Sequence, residues 1–240
     1  MKKFELTTEF ITNAFGKKLF RIKALVEFGD VKAGELGGYV EKEGNVSQAG
    51  NAWVYGNARV SGNARVYGDA RVSDNAWVYG NARVYDNAWV YGNARVYGNA
   101  WVSGNARVYG DARVSGDAEV YGDARVSGDA EVYGDARVYG DARVSGDAEV
   151  YGDARVYGDA EVSGNADYAL VQGFGTEFRC TTFYRGKNKK IMVNCGCFHG
   201  DLEGFRKQVK ETRNGKIAKE YLMIADLMEY HFTSEDSSNE

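Results

Sequence analysis

The sequence predicts a mainly β protein whose centre is a parallel β-helix of triangular coils, each built from three six-residue units. Residues 51–165 repeat one phrase, Gly-Asn/Asp-Ala-Arg/Trp/Glu-Val-Tyr/Ser, without insertion. Every sixth residue from Ala52 to Ala166 is Ala, and every sixth residue from Val54 to Val162 is Val. A short fixed period is typical of a solenoid, in which each unit buries its apolar face only by stacking on its neighbours.

Ala and Val of each unit lie two positions apart, so both point to the same side of an extended strand. We therefore expect an interior of Ala and Val alone. The remaining residues turn a corner, and the Gly position of that corner is Gly except at Asp74 and Asp86. Asp is one of the few other residues that tolerate a left-handed backbone. Residues 51–168 would form about six to seven coils, a prism about 30 Å long.

Composition limits the class of protein. The chain has 240 residues, a net charge of −4 and no apolar run long enough to cross a membrane. Its first residues lack the apolar core of a signal peptide, so we expect a soluble cytoplasmic protein. Three Cys, an odd number, argue against a disulfide framework.

The residues before the repeat predict an N-terminal β cap over 1–44. Three segments are rich in β-forming residues: Phe4–Leu6, Phe10–Thr12 and Leu19–Leu25. A turn at 13–17 would join the last two segments. Val46 is in register with the Ala column, and the polar Gln48 stands where the first Val would be. A cap is needed because the open end of a β-helix exposes unpaired strand edges.

The residues after the repeating segment 45–168 predict a C-terminal α/β cap over 169–240. Segments 177–185 and 189–197 alternate about a central turn, which indicates a β-hairpin. Two helices are expected after it, over Asp201–Arg213 and Lys216–Tyr230. The acidic tail from Ser234 is expected to be disordered.

The entry into the repeat resembles that of a known family. Its residues are Ala24–Val31, then Gly34-Glu35-Leu36-Gly37-Gly38-Tyr39-Val40-Glu41 and the first hexads. They are similar to the opening of YdcK-like proteins of the hexapeptide-repeat type, which occur in bacterial chromosomes and frequently in phage and prophage genomes. The resemblance covers residues 1–170 and implies a left-handed β-helix in a bacterial host. Family members are often labelled transferases, but a fold does not fix a function.

An acyltransferase is the alternative function that this resemblance raises. Hexapeptide acyltransferases use a His on a coil as general base and a loop that interrupts the coils, and carbonic anhydrases of this fold bind zinc through His. Residues 51–168 contain neither a His nor an interruption. Because proton abstraction needs a base with a pKa near neutrality, we favour a non-enzymatic binding or structural protein without a cofactor.

Cys180, Cys195, Cys197 and His199 are a weak candidate for a zinc site, since zinc prefers thiolate and imidazole ligands. A hairpin that is symmetric about Lys187-Asn188 would pair Cys180 with Cys195 on a mostly apolar face. Free Cys packs in such a place as a small apolar residue. We therefore favour a packing role for these residues and predict no metal.

The predicted outer surface carries the candidate binding residues. Residues eighteen apart should stack, which gives one column of Trp53, Arg71, Trp89 and Arg107, and a second of Tyr67, Tyr85, Tyr121, Tyr139 and Tyr157 that only Ser103 interrupts. Ladders of like side chains stabilise stacked strands, and Tyr and Arg are also enriched at recognition surfaces. A contiguous aromatic column predicts self-association through a flat side, as a dimer or trimer.

Charge is polarised along the repeat. Six Arg against three Asp give +3 over 51–110, whereas five Arg against nine Asp and four Glu give −8 over 111–164. The acidic half disfavours nucleic acid as a partner, and the Asp columns fit pairing with neighbouring Arg better than calcium, which needs six to eight converging oxygens. With the resemblance to phage proteins, the expected partner is a host immune protein or a small nucleotide signal, in an anti-defence role.

Overall fold

The computed structural model describes residues 2–176, 178, 180–187 and 189–233, and it confirms a mainly β protein built around a parallel β-solenoid. The acidic tail expected from Ser234 lies outside the described residues. Within them, no helix is both long and apolar enough to span a membrane.

The chain starts with an antiparallel hairpin that extends one side of the solenoid. Its strands are β1 (Phe4–Thr12) and β2 (Lys18–Ala24), joined by the turn predicted at 13–17. The first two predicted β segments are one strand, because a register shift within β1 bends the strand without ending it. β3 (Leu36–Val40) then pairs antiparallel with β2 and parallel with the repeat.

Nineteen two-residue strands follow, each formed by a Val of the repeat and the residue before it. They are β4 (Trp53–Val54), β5 (Arg59–Val60), β6 (Arg65–Val66), β7 (Arg71–Val72), β8 (Trp77–Val78), β9 (Arg83–Val84), β10 (Trp89–Val90), β11 (Arg95–Val96), β12 (Trp101–Val102), β13 (Arg107–Val108), β14 (Arg113–Val114), β15 (Glu119–Val120), β16 (Arg125–Val126), β17 (Glu131–Val132), β18 (Arg137–Val138), β19 (Arg143–Val144), β20 (Glu149–Val150), β21 (Arg155–Val156) and β22 (Glu161–Val162). Each of the strands β4–β19 pairs in parallel with the strand eighteen residues further on, as Val54 pairs with Val72. The predicted eighteen-residue coil is therefore confirmed.

The strands form three sides of a prism. The first face is the sheet β3-β5-β8-β11-β14-β17-β20, which β1 and β2 extend. The second face is β4-β7-β10-β13-β16-β19-β22, and the third face is β6-β9-β12-β15-β18-β21. Because the second face stacks seven strands, the solenoid has about seven turns.

Ala and Val of the repeat line the interior as predicted, and none of them from Ala52 to Val162 has exposed surface. The glycines of the repeat from Gly50 to Gly158 have positive φ, and so do the two Asp that replace them. Ala166, predicted to continue the inner column, is exposed. The chain leaves the last coil there in a 3-10 turn over Asn165–Asp167, so Ala166 has no strand to direct it inward.

The first coil is longer than the others. The prediction that Val46 continues the Ala column is wrong, because Val46 bridges Val66, twenty residues further on. A 3-10 turn over Glu43–Asn45 precedes Val46, and a wider loop follows it. From Gly50 onward, stacked residues are again eighteen positions apart, since Gly50 lies against Gly68.

Polar side chains finish the hydrogen-bond ladder at both ends of the solenoid. The N–H groups of each coil donate to carbonyl groups of the next, so the first coil presents free carbonyls and the last presents free N–H groups. At the first coil, Asn45 Nδ2 donates to the carbonyl oxygens of Gly62 (3.1 Å) and Ala64 (2.8 Å). At the last, Thr182 Oγ1 accepts from the N–H of Arg155 at 3.0 Å.

A four-stranded antiparallel sheet and two helices form the C-terminal cap. Its elements are β23 (Tyr168–Val171), β24 (Thr181–Arg185), β25 (Ile191–Cys195), β26 (Phe198–Asp201), α1 (Leu202–Thr212) and α2 (Gly215–Thr233). The predicted hairpin and both helices are confirmed. Asp201 is the N-cap of α1, since its Oδ1 accepts from the N–H of Gly204 at 2.9 Å.

The register of the β24–β25 hairpin is one residue from the prediction. Thr181, and not Cys180, is the partner of Cys195. Because side chains alternate across a strand, this difference places Thr181, Phe183 and Arg185, and not Cys180 and Thr182, on the face of Ile191, Val193 and Cys195. Phe183 and Val193 therefore pack against the helices, and the apolar face predicted around Cys180 is wrong.

Candidate binding surface

The predicted column of Trp and Arg is present on the second face. Trp53 pairs with Arg71, Arg71 with Trp89, and Trp89 with Arg107. The guanidinium carbons of Arg71 and Arg107 lie 5.6 and 5.8 Å from the centre of the Trp89 ring. Cation–π contacts of this kind contribute about 0.5–1 kcal/mol each at exposed sites, so Trp89 holds both arginine side chains against the face.

Trp53 is not part of the outer surface, which corrects the prediction for this residue. Its side chain is fully buried. The rings of Phe4 and Phe28 contact it edge-on, with centroids 5.8 and 5.3 Å away. Both phenylalanines belong to the N-terminal cap, which covers the first strand of the second face. Trp53 is therefore a core residue and does not contact a partner.

The predicted Tyr column runs beside the third face. Tyr67 and Tyr85 stack in parallel with ring centroids 4.9 Å apart. Beyond Ser103 the stack resumes, with 4.8 Å between Tyr121 and Tyr139 and 4.6 Å between Tyr139 and Tyr157. All five rings are half-buried. Burial raises the pKa of Tyr139 to about 12.

Trp101 lies beside the gap that Ser103 leaves in the column and contacts the Tyr on its N-terminal side, although it was not among the predicted binding residues. Its ring meets Tyr85 edge-on with centroids 6.3 Å apart, and 39% of the residue is exposed. Arg83 lies over it, with the guanidinium carbon 5.0 Å from the ring centre. The sequence signal was available, because Trp101 lies two residues before the only Ser of the column.

His199 closes the C-terminal end of the column. Its ring lies on Tyr157, with centroids 3.8 Å apart and an angle of 33°. Burial lowers the pKa of His199, while Asp159 acts in the opposite direction. No sequence pattern connects β26 with this Tyr column, so only the packing of the cap reveals the contact.

These side chains form one strip, which we call the aromatic ribbon. Its members are Tyr67, Tyr85, Trp101, Tyr121, Tyr139, Tyr157 and His199. The ribbon extends over six coils along one edge of the prism.

The weak zinc candidate is not assembled. His199 lies on Tyr157, and the hydroxyl of Thr181 donates to Cys195 Sγ at 3.1 Å. Burial raises the pKa of the Cys180 thiol to about 11. Among the described residues, no group of three or more His, Cys, Asp or Glu side chains is placed to hold a metal ion.

Charged side chains on the prism pair along the coils. Arg113 contacts Glu131 at 2.6 Å on the first face, and Arg137 contacts Glu119 at 3.5 Å on the third. The prediction that the Asp columns pair with Arg is wrong, because no Asp of the series from Asp111 to Asp159 lies within ion-pair distance of a described Arg. Glu occupies the same column as Arg and stacks directly on it, whereas Asp lies at the corner.

Amide ladders connect the corners of the first half of the repeat, which carries the positive net charge. Asn81 Nδ2 donates to Asn99 Oδ1 at 3.0 Å, and Asn99 Nδ2 donates to Asp117 Oδ1 at 2.9 Å. From Asp117 to Asp159 the corner residues are Asp only, and a carboxylate has no proton to donate to the next carboxylate. The change from Asn to Asp therefore ends each ladder and begins the acidic half.

The fold and this surface define the chain as a capped β-solenoid repeat protein with an uninterrupted, aromatic-rich prism. Its central repeats match the family model described as YdcK Beta solenoid repeat. The matched residues are 52–66, 64–80, 76–92, 88–104, 100–116, 106–122, 130–146 and 136–152. Residues 52–152 of the chain therefore carry YdcK β-solenoid repeats. No curated protein sequence matches the chain.

Proposed function

We propose that the protein is a non-enzymatic binding protein that uses the aromatic ribbon as its interface. The observation that carries this proposal is the row of aromatic side chains along one edge of the prism. Its rings make two contacting runs, one of Tyr67, Tyr85 and Trp101 and one of Tyr121, Tyr139, Tyr157 and His199. Tyr and Trp bring large contact areas with little loss of side-chain entropy. A strip of aromatic side chains of this kind is more typical of a protein interface than of a surface that stays exposed to water.

The first partner is a second copy of the chain. Caps cover both ends of the solenoid, so end-to-end growth is blocked and flat sides are left for lateral packing. A dimer or trimer about a symmetry axis would bury the ribbon of each protomer against its neighbour.

The resemblance to phage and prophage proteins supports a second step in the proposal. A phage-encoded binder would act in the cytoplasm of a bacterial host, against an immune protein or by retaining a nucleotide signal. Arg and Tyr are the side chains that such partners favour, because guanidinium binds phosphate and Tyr anchors protein interfaces.

Self-association is tested by measuring the mass of the protein in solution by light scattering. The wild type should be a dimer or trimer, and the triple variant Tyr85→Ser/Tyr121→Ser/Tyr139→Ser should be a monomer. Ser is the residue that the repeat already uses at Ser103, so the fold should tolerate it. The matched control is Tyr79→Ser/Tyr97→Ser/Tyr133→Ser on the first face, which should keep the wild-type mass. A monomeric wild type contradicts the proposal.

The acyltransferase alternative is tested separately with acetyl-CoA. Both histidines of the chain, His199 and His231, lie outside the coils. If the protein is non-enzymatic, millimolar acetyl-CoA should raise its melting temperature no more than an adenine nucleotide without the acetyl-pantetheine arm does. A rise that is larger by several degrees would indicate specific binding of that arm and would favour the enzyme.

A further inference from the structure

We propose that the notch below Tyr67 binds a small anion that carries a planar ring, with the chemistry of a mononucleotide. The notch lies where the third face begins, between the long first coil and the first Tyr of the aromatic ribbon. Its volume is about 610 Å³. This inference rests on the small-ligand part of the proposed function and does not depend on self-association.

The long first coil creates the notch. In the second coil only Tyr67 lies between Val66 and Gly68, whereas three residues, Ser47–Ala49, lie between Val46 and Gly50. These three residues carry no ring. One face of Tyr67 stacks on Tyr85 at 4.9 Å, and among the described residues no ring covers its other face. The ribbon therefore ends in an open stacking position.

The opposite end of the ribbon shows what such a position accepts. There the last ring, Tyr157, is covered by the imidazole of His199 at 3.8 Å between centroids. The N-terminal end has a cavity in place of this cap. A planar ring from a ligand can stack on Tyr67 as His199 does on Tyr157, and base–aromatic stacking contributes about 1–3 kcal/mol.

The charge of the notch selects an anion. Arg65 and Arg83 line it from adjacent paired strands, and no described carboxylate lies within ion-pair distance of either. Arg83 also contacts the Trp101 ring, as described above, through a cation–π interaction that leaves its charge without an anion. The carboxylate of Glu43 also lines the notch, but it already contacts Lys2 Nζ at 3.0 Å and Gln48 Nε2 at 2.8 Å. Two like charges on neighbouring strands repel each other, so a bound anion would reduce the repulsion between Arg65 and Arg83.

The ring and the charge together define the ligand class. Guanidinium groups bind phosphate oxygens through paired hydrogen bonds. The volume lies within the range of about 300–1,000 Å³ typical of small-molecule sites. A phosphate alone would leave Tyr67 uncovered, and a nucleoside alone would leave both Arg unpaired.

The test is calorimetric titration of the full chain with adenosine 5′-monophosphate, adenosine and inorganic phosphate. The nucleotide should bind at least about tenfold more tightly than either fragment, because it makes both sets of contacts and each is expected to exceed about 1.4 kcal/mol, a factor of ten. Absence of nucleotide binding at millimolar concentration overturns the proposal. Equal binding of phosphate overturns the role of Tyr67.

Three variants and two matched controls locate the site. Arg65→Gln, Arg83→Gln and Tyr67→Ser should each weaken nucleotide binding at least about tenfold. Arg125→Gln and Tyr91→Ser remove the same side chains from the second face and should leave binding unchanged. Melting curves followed by circular dichroism establish that every variant is folded. If all three variants still bind the nucleotide as the wild type does, the binding site lies outside the notch and the proposal is overturned. The mass measurement above tests self-association independently.

Discussion

At the scale of single residues, the narrow interior and the tight corner restrict each position of the repeat. Added to Gly110, a Cβ atom would lie 3.0 Å from the backbone nitrogen of Gly128, and Gly110 has a φ of 71°. Asp74 tolerates the same corner with a φ of 59°, and its Oδ2 accepts from the N–H of Gly92 at 3.0 Å. A side chain at this position is therefore accepted where it also binds the next coil.

Substitution of an inner Ala should destabilise the solenoid. Ala112 is fully buried between the inward Val columns, and Ala112→Leu adds three carbons to a filled interior. We expect a loss of about 1–3 kcal/mol in the free energy of unfolding, since overpacking forces the backbone or the side chains to move. Arg125→Leu, at an exposed outward position, should change the free energy of unfolding by less than about 0.5 kcal/mol. Urea unfolding followed by circular dichroism compares the two, and equal effects would contradict the inward position of Ala112.

The His199 contact should make stability depend on pH. The folded pKa lies below the ordinary value of 6.5 because burial on the solenoid disfavours the charged imidazole. The unfolded chain then binds more protons than the folded chain, so stability should fall as pH falls through about 6.5 and level off below the folded pKa. His199→Phe keeps a ring on Tyr157 and removes the titration. Melting temperatures between about pH 7.5 and 5.5 should fall less in this variant, and an unchanged slope would assign the effect to another group.

At the scale of elements, each cap supplies the hydrogen-bonding groups that the adjoining coil lacks. The first coil needs donors, and Lys3 Nζ donates to the carbonyls of Gly50 (3.2 Å) and Ala52 (2.8 Å) on the second face. The last coil needs acceptors, and Asn165 Oδ1 accepts from the N–H of Glu149 at 2.8 Å. These polar side chains therefore have a structural role, since they bond to the open backbone groups of the end coils. From the sequence alone, polar residues at the end of a sheet would be expected to face solvent.

Replacement of the Asn45 amide by a carboxylate should destabilise the N-terminal end. Asn45→Asp keeps the shape but removes the donor to the carbonyls of Gly62 and Ala64, which leaves buried oxygens facing each other. We expect a loss of about 2–4 kcal/mol, because each unsatisfied buried group costs about 1–3 kcal/mol. Asn63→Asp makes the same change at an exposed corner beside Lys42, whose Nζ donates to it at 3.0 Å, and should have little effect. Similar urea midpoints for the two variants would contradict this role of Asn45.

At the scale of the whole molecule, the solenoid is close to one-dimensional, because each coil contacts the coils above and below it. The aromatic ribbon, the charge gradient and the amide ladders all run along the same axis. The number of coils in the solenoid can therefore change without altering either cap.

Deletion of one complete coil should leave a folded protein. Removal of residues 93–110 takes out eighteen residues and joins Gly92 to Asp111, so every column keeps its register. The variant should melt cooperatively with a modest loss of stability, as expected when stability is a sum over neighbouring units. Removal of residues 93–101 breaks the six-residue period and should abolish the cooperative transition followed by circular dichroism. A deletion of nine residues that is as stable as the deletion of eighteen would contradict stacking in register.

The sequence by itself determined the repeating part of the molecule. The six-residue period places Ala and Val inside, Gly or Asp at the corners, and residues eighteen apart in one column, because these relations are local and identical in every unit. The stacking of Tyr67 on Tyr85 and the contacts of Trp89 with Arg71 and Arg107 follow from the same period.

Only the tertiary structure decided what happens where the period ends. The burial of Trp53, the twenty-residue step from Val46 to Val66, the one-residue change of the hairpin at Cys195 and the contact of His199 with Tyr157 all depend on how a cap packs against a coil. Their physical reason is that a cap must satisfy open carbonyl or N–H groups and cover exposed apolar edges at once. The resulting register is a compromise among distant contacts, and no local pattern in the chain encodes it.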